Sequence, residues 1–444
     1  MLRILWKWLA TGFSIIVILL AVGIGLFRLL LPMIPQYHER IEAFASEAAG
    51  TPVLIEGIDA RWGRNGPELR FRNAQLLTAD GGASLLTADT GSVVLDLKRL
   101  ISEGELQAGR ILLGGLKLEV KRSANGDWQV GGIRAGGGGM PKTLAVGLRG
   151  AQMIFNDEMN GVGPWLFDEV DLDINLKNQD LKIAADFELP VELGERVDVS
   201  IEATGDLEDR DALQWRGYFN VSEVLLAGWA DLMPREKASP VAGSGALTGW
   251  ISMQGEQLQQ ASLMLDTRNV VLAKNDAEIH RFDQLKGRFE FDSTEAGWEA
   301  TGRDIVISSD GQTWPASTFG IEQVGTGDDD GLLYADIDYA RLQDLAPFSD
   351  WIPDEKIRDR LTGMAPRGVI EDLSFRLVHE KEKPDDFSLR TRFSELGANA
   401  TGDWPGFDLI SGDIRMDSSS GRVELEPAET MFDLPGIIGV PVKT

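Results

Sequence analysis

VDLDINLKNQDLKIAADF, residues Val170–Phe187, sets Val170, Leu172, Ile174 and Leu176 against Asp171, Asp173 and Asn175, then resumes at Leu181, Ile183, Ala185 and Phe187. A period of two marks a strand whose side chains point to alternate faces. Here one face is apolar and the other ionic. The same reading holds at Val197, Val199 and Ile201, which alternate with Asp198, Ser200 and Glu202. It recurs at Phe289 and Phe291, at Ile305 and Ile307, from Leu333 to Tyr339, at Phe387 and Leu389, and at Val423 and Leu425. Helical periodicity is confined to a few short places, so the chain reads as mainly β.

Upstream, Val53 and Ile55 alternate, Asn65-Gly66-Pro67 turns, and Leu69 and Phe71 resume the pattern. Asn125-Gly126, between Leu116–Val120 and Trp128–Val130, is a strong hairpin signal. Residues 36–49 form a short amphipathic helix with Ile41, Phe44, Ala45 and Ala48 on one face, stopped by Gly50 and Pro52. LLAGWADLMP, ending at Pro234, and LQDLAPFSDWIP, ending at Pro353, are short helical stretches closed by proline and followed by charged segments. They read as an internal repeat, hence an array of similar units.

Before all of this, Trp8 to Phe27 carries no charge, about the length a helix needs to cross a bilayer core. Trp8, Phe13, Ile16, Leu20, Ile24 and Phe27 belong to this expected anchor. Arg3 and Lys7 precede it, so the positive-inside bias keeps the N-terminus cytoplasmic and exports the body. A cleaved secretory signal is the alternative, but the apolar run extends past Ala21-Val22-Gly23 to Leu31. The expected organisation is residues 1–35 as cytoplasmic N-terminus and anchor, 36–140 as an N-terminal β block with the short helix, and 141–444 as elongated β-groove repeats. The strand series is still running near Thr444, which reads as a truncated end.

The 43 lysines and arginines against 70 aspartates and glutamates leave a net charge of −27. That excludes a nucleic-acid binder, which needs a basic face. Cysteine is absent, so disulfides and thiolate-held metals are excluded. His38, His280 and His379 have no partner at metal-site spacing. Neither a Gly-x-Ser-x-Gly elbow nor a His-Glu-x-x-His helix is present. Gly243-Ser-Gly245-Ala-Leu-Thr-Gly249 has the wrong spacing for a dinucleotide loop and reads as a flexible turn. Asp328-Asp329-Asp330-Gly331 places Thr326 and Ile337 where a calcium loop needs carboxylates, so it reads as a solvated hairpin tip. No enzyme and no cofactor are expected.

An apolar sheet face must be covered by helices, by a second sheet, by closure on itself or by a ligand. Helices are too few. A stack of sandwiches remains one solution, but a long antiparallel sheet curled into a trough, apolar face inward, fits the consistently ionic outer face better. The fold expected is therefore an N-terminal transmembrane helix followed by an elongated, curled antiparallel β-sheet trough with a few short helices. Such a trough would be open to acyl chains. Its expected lining is Leu172, Ile174, Leu176, Ile183, Phe187, Val197, Val199, Ile201, Phe289, Phe291, Ile305 and Ile307.

The opening anchor, the helix ending in Gly50-Thr51-Pro52-Val53, the strand pair around Arg61-Trp62, and LEVKRSANGDWQVGGI resemble the amino-terminal region of AsmA-like proteins. PRGVIEDLSFRL, WPGFDLISGDIRMDSSSGRVELEP and MFDLPGIIG are similar to the YhdP branch of that family. The resemblance implies a single-pass protein of the bacterial inner membrane whose periplasmic body conducts phospholipids toward the outer membrane. Its partners would be phospholipids, the inner membrane through the N-terminal helix, and outer-membrane or periplasmic proteins. The alternative is an anchored periplasmic β-scaffold that assists outer-membrane assembly without carrying lipid.

Overall fold

The computed structural model describes residues 38–443 apart from 64–65, 79–80, 96–107, 132, 135–142, 208, 210, 234–235, 276, 326–330, 353–354, 382–383, 402–404, 428–430 and 434–441. The expected anchor with Trp8, Phe13, Ile16, Leu20, Ile24 and Phe27, and the acidic tip Asp328-Asp329-Asp330, lie outside those residues. No helix among the described residues is long and apolar enough to cross a membrane. The chain divides into two compact units, Met1–Glu188 and Leu189–Thr444.

In the first unit, helix α1 (His38–Ala49) precedes strands β1 (Val53–Gly63), β2 (Gly66–Leu77), β3 (Ser84–Leu95), β4 (Ala108–Gly114), β5 (Lys117–Arg122), β6 (Trp128–Val130), β7 (Ile133–Arg134), β8 (Thr143–Asp157), β9 (Val162–Lys177) and β10 (Asp180–Glu188). The helix stops at Gly50, whose φ of +71° is a left-handed cap that glycine adopts without strain. It is tied back to β1: the Ile55 amide donates to Glu42 Oε1 at 2.7 Å and the Val53 amide to Ser46 Oγ at 2.9 Å.

The expected all-antiparallel order needs one correction in this unit. Strands β4 and β5 run parallel to β8, from Ile111↔Val146 to Gly114↔Arg149 and from Lys117↔Gln152 to Arg122↔Asp157. The short β6 and β7 occupy the far edge of β5. Strand β8 therefore joins the free edge in the same direction as β5, and alternation of side chains says nothing about strand direction.

In the second unit follow β11 (Arg196–Thr204), β12 (Gln214–Leu225), helix α2 (Leu226–Trp229) continued by a 3-10 turn (Ala230–Leu232), β13 (Ser239–Gln254), β14 (Gln257–Lys274), β15 (Ala277–Thr294), β16 (Gly297–Ser309), β17 (Gln312–Thr313), β18 (Ser317–Val324) and β19 (Gly331–Arg341). Helix α3 (Leu342–Leu345), a 3-10 segment (Ala346–Trp351) and α4 (Glu355–Met364) lead into β20 (Arg367–His379), β21 (Asp386–Ala398), β22 (Gly406–Asp417), β23 (Gly421–Leu425), β24 (Met431–Asp433) and β25 (Val442–Lys443). The ladders from β11 to β23 are antiparallel, and β16 pairs past the short β17 with β18. Register shifts recur at Val221/Val224, Lys286/Arg288, Gly302/Ile305, Glu371/Ser374 and Phe393/Leu396. Each such bulge bends its strand and increases the local twist, which curls the sheet.

The glycine run Gly243–Gly249 is a second correction: it lies inside β13 and is not a turn. Gly243 has φ +118° and a side chain there would meet the Val270 Cα at 2.9 Å, so these glycines mark irregular pairing with β14 and not a free loop.

Both stretches read as a repeat become a short helical segment between two strands of this unit, and both dock at one margin of the sheet. Trp229 Nε1 donates to the Leu193 carbonyl and Trp351 Nε1 to the Ala238 carbonyl, each at 3.0 Å. Phe348 stacks on Phe282 with ring centroids 5.9 Å apart. Phe282 is the centre of the dry core, with Val270, Leu272, Ile305, Ile307, Trp314 and Ala340 around it. Asp344 of α3 is fully buried beside this cluster and accepts from Ser309 Oγ and Trp314 Nε1, both at 2.7 Å. Arg341 Nη1 lies 3.4 Å from it. His280 Nε2 also lies at 3.4 Å, without hydrogen-bond geometry.

Candidate functional site

Residues directly opposite one another on neighbouring strands share a face. Following the register of the second unit, Ile201 lies opposite Gly217, then Ile251, Ala261, Phe291, Ala300, Ile321, Ala335, Phe375, Leu389, Met416 and Gly421. This row crosses the sheet from β11 to β23 without one polar side chain. A second row runs Val199, Phe219, Gly249, Leu263, Phe289, Gly302, Phe319, Ile337 and Leu373. The intervening residues, among them Glu202, Arg216, Glu290, Arg303, Glu322 and Asp336, form the ionic face.

Burial changes across the apolar face. At the helical margin Phe282 is sealed and Ile305 and Ile307 are 7% exposed. Along the row from Ile201 to Gly421, by contrast, no residue is buried. A second sheet packed face to face would seal the mid-row Ile321 and Phe375. The short helices therefore cover one margin, and the rest of the face is left half-open.

Three glycines keep that face low. A Cβ on Gly249 would stand 2.3 Å from the Phe219 ring, and one on Gly302 would stand 2.4 Å from the Phe319 ring. In the first unit a Cβ on Gly91 would stand 2.1 Å from the Phe71 ring. Each ring is the direct cross-strand partner of its glycine. The aromatic side chain lies flat over the missing side chain, the pairing that lets a sheet tolerate glycine. A flat ring adds apolar surface without rising from the floor.

The first unit repeats the pattern on its own scale. Ile58, Phe71, Gly91, Leu113, Leu148, Leu172 and Ala185 form one row, and Ala60, Leu69, Val93, Ile111, Val146, Ile174 and Ile183 the next.

The twelve lining candidates are placed as follows. Leu172, Ile174, Leu176 and Ile183 belong to the apolar rows of the first unit. Phe187 lies at a register shift and meets Phe167 edge-on, ring centroids 5.5 Å apart. Val197, Val199 and Ile201 pair with Val221, Phe219 and Gly217, and Phe289 and Phe291 with Leu263 and Ala261. Ile305 and Ile307 sit in the dry core under the helices. Leu176 and Val197 are buried too, at 5% and 6% exposure. At the middle of the open row stand Ala335, which belongs to the alternating run from Leu333 to Tyr339 but not to the expected lining, and Ile321 and Phe375, which no short run picks out; only the register ranks them together.

Among the described residues no group of three or more histidines, aspartates or glutamates is placed to hold a metal. What the arrangement can do chemically is hold apolar chains: each methylene moved from water onto such a wall gains about 0.8 kcal/mol.

Compared with protein-family models, the chain matches the one described as YhdP protein over residues 1–444. No curated protein and no solved structure matches it.

Proposed function

Because the chain belongs to the YhdP family, we propose that it is a lipid conduit, anchored in the bacterial inner membrane by its N-terminal segment and carrying phospholipids through the periplasm on its apolar sheet face, toward the outer membrane. The observation that carries this reading is the half-open row from Ile201 to Gly421. Polar-free across every strand it crosses, it is uncovered where a dry core would be sealed. Acyl chains are the covering chemistry that such a wall favours.

The work is passive and non-enzymatic. Acyl chains lie against the apolar rows, headgroups stay at the wet rim, and the ionic outer face keeps the sheet in solution. No residue needs to recognise a headgroup, since the gain per methylene accumulates along the chain.

Native mass spectrometry with lipid extraction tests the reading on the full chain released in a polymer that retains native lipid. Several phospholipids bound per folded chain support it. A folded chain that carries none, even when phospholipid is added back, refutes it.

A further inference from the structure

The two margins of the second unit's sheet are built differently. Strands β12 and β19 run into α2 and α3 at one margin, and the hairpins β13–β14 and β15–β16 turn at the other, at residues 255–256 and 295–296. Under the helices the apolar face is dry, with Phe282 sealed and Val270, Leu272, Ile305 and Ile307 all buried.

At the turn margin the same face changes character. One step outward from the row of Ile321 and Phe375, the register aligns Ser293, Trp298, Gln323, Leu333, Leu377 and Phe387, none of them buried. Ser293 and Gln323 bring polar side chains onto a face that is apolar in the two rows behind them. Trp298 spans the boundary: its ring stacks on Phe291 with centroids 6.2 Å apart, and its Nε1 donates to Gln323 Oε1 at 2.9 Å. On β12, Trp215 takes the corresponding place opposite Met253. Tryptophan collects where an apolar body meets a wet edge, as it does at the two surfaces of a bilayer.

The floor is thus polar at one end of its strands and sealed at the other, the same asymmetry as a phospholipid. Its length suits one too. From Trp298 to Ile305, β16 spans about 23 Å, against the ~15 Å that the tails of one leaflet fill in a bilayer core. Resting on the conduit reading, we infer that phospholipids lie along the strands of the second unit in one orientation, acyl tails toward the helices and phosphate and glycerol at the row of Trp298 and Gln323. In the reverse orientation the phosphate would leave water for the dry core around Phe282, at a high desolvation cost.

The test is photolabelling of the wild-type full chain, reconstituted in phosphatidylethanolamine–phosphatidylglycerol vesicles, with two diazirine probes. One phosphatidylethanolamine carries the diazirine on its headgroup amine, the other at the end of an acyl chain, and adducts are located by tandem mass spectrometry. The headgroup probe marks Ser293, Trp298 and Gln323 at least ten times more often than Phe289, Phe319 and Ile337, which pack against the sealed core. The acyl probe reverses that ratio. Ratios that agree between the two probes, or that are the opposite of these, overturn the orientation and leave the conduit reading standing. No adduct from either probe removes both.

Discussion

Ala335 lies at the middle of the open row, between Ile321 on β18 and Phe375 on β20. Replacing it with aspartate separates an open groove from a dry core by two opposite signatures. In an open groove the new carboxylate meets water, and the folding cost stays within the roughly 1 kcal/mol span of strand preferences. In a sealed core the same charge would be unpaired and buried, costing several kcal/mol. Lipid occupancy moves the other way. A hydrated carboxylate that keeps four methylenes off the wall forfeits about 3 kcal/mol, more than a hundredfold in occupancy. The control is Met264→Asp, on the ionic face opposite Thr248 and Arg288, which leaves lipid content unchanged. Urea unfolding and lipid counting by native mass spectrometry read both quantities on the same samples. An Ala335→Asp variant that folds normally and retains its full lipid complement refutes the reasoning, as does one destabilised by more than about 3 kcal/mol.

Gly302→Ala puts a methyl group where the Phe319 ring lies, at 2.4 Å; overpacking costs about 1–3 kcal/mol, and adding Phe319→Leu recovers most of it in thermal unfolding. Asp344→Ala leaves the buried Ser309 and Trp314 donors unpaired and Arg341 without its counter-charge, an expected loss of about 3–5 kcal/mol by urea titration. Burial acts to raise the Asp344 carboxyl, but the approach of His280, the hydrogen bonds from Ser309 and Trp314 and the Arg341 charge outweigh it and hold it below its usual 3.8. A depressed carboxyl contributes stability that is present above 3.8 and lost as pH falls through the lower folded value. The urea midpoint of the wild type should therefore drop in that acid range more steeply than that of Asp344→Asn. Trp351→Phe removes the hydrogen bond to the Ala238 carbonyl and weakens the cation contact with Lys237, whose Nζ lies 4.5 Å from the ring centroid. It should cost about 1 kcal/mol and show first as faster amide exchange at the helical margin.

The strands and their two faces were legible because alternation is a local signal, and Val170–Phe187 carries it without ambiguity. Three things were not. Parallel pairing of β4 and β5 with β8 depends on where the chain travels between them, which no side-chain period records. The glycines at 243–249 looked like a turn because glycine clusters usually are one; in β13 they answer instead to the close backbone of β14, a non-local cause. Gly302 and Gly249 gave no sign of function because their partners, Phe319 and Phe219, are set by register and lie far along the chain. Among the lining candidates, short runs identified the apolar face but could not rank it. Ile305 and Ile321 read alike in sequence, yet the helical margin seals the first and leaves the second open.

Whether acyl chains rest on one face of this sheet is decided by photo-crosslinking along a single strand pair. A benzophenone amino acid would be placed in turn at Phe319, Ile321, Glu322, Ala335 and Asp336 of the full chain in its host membrane, and adducts identified by mass spectrometry. Phospholipid adducts are expected at Phe319, Ile321 and Ala335 and none at Glu322 and Asp336, a period of two that follows the sheet. Adducts at neither set, or at both alike, would contradict it.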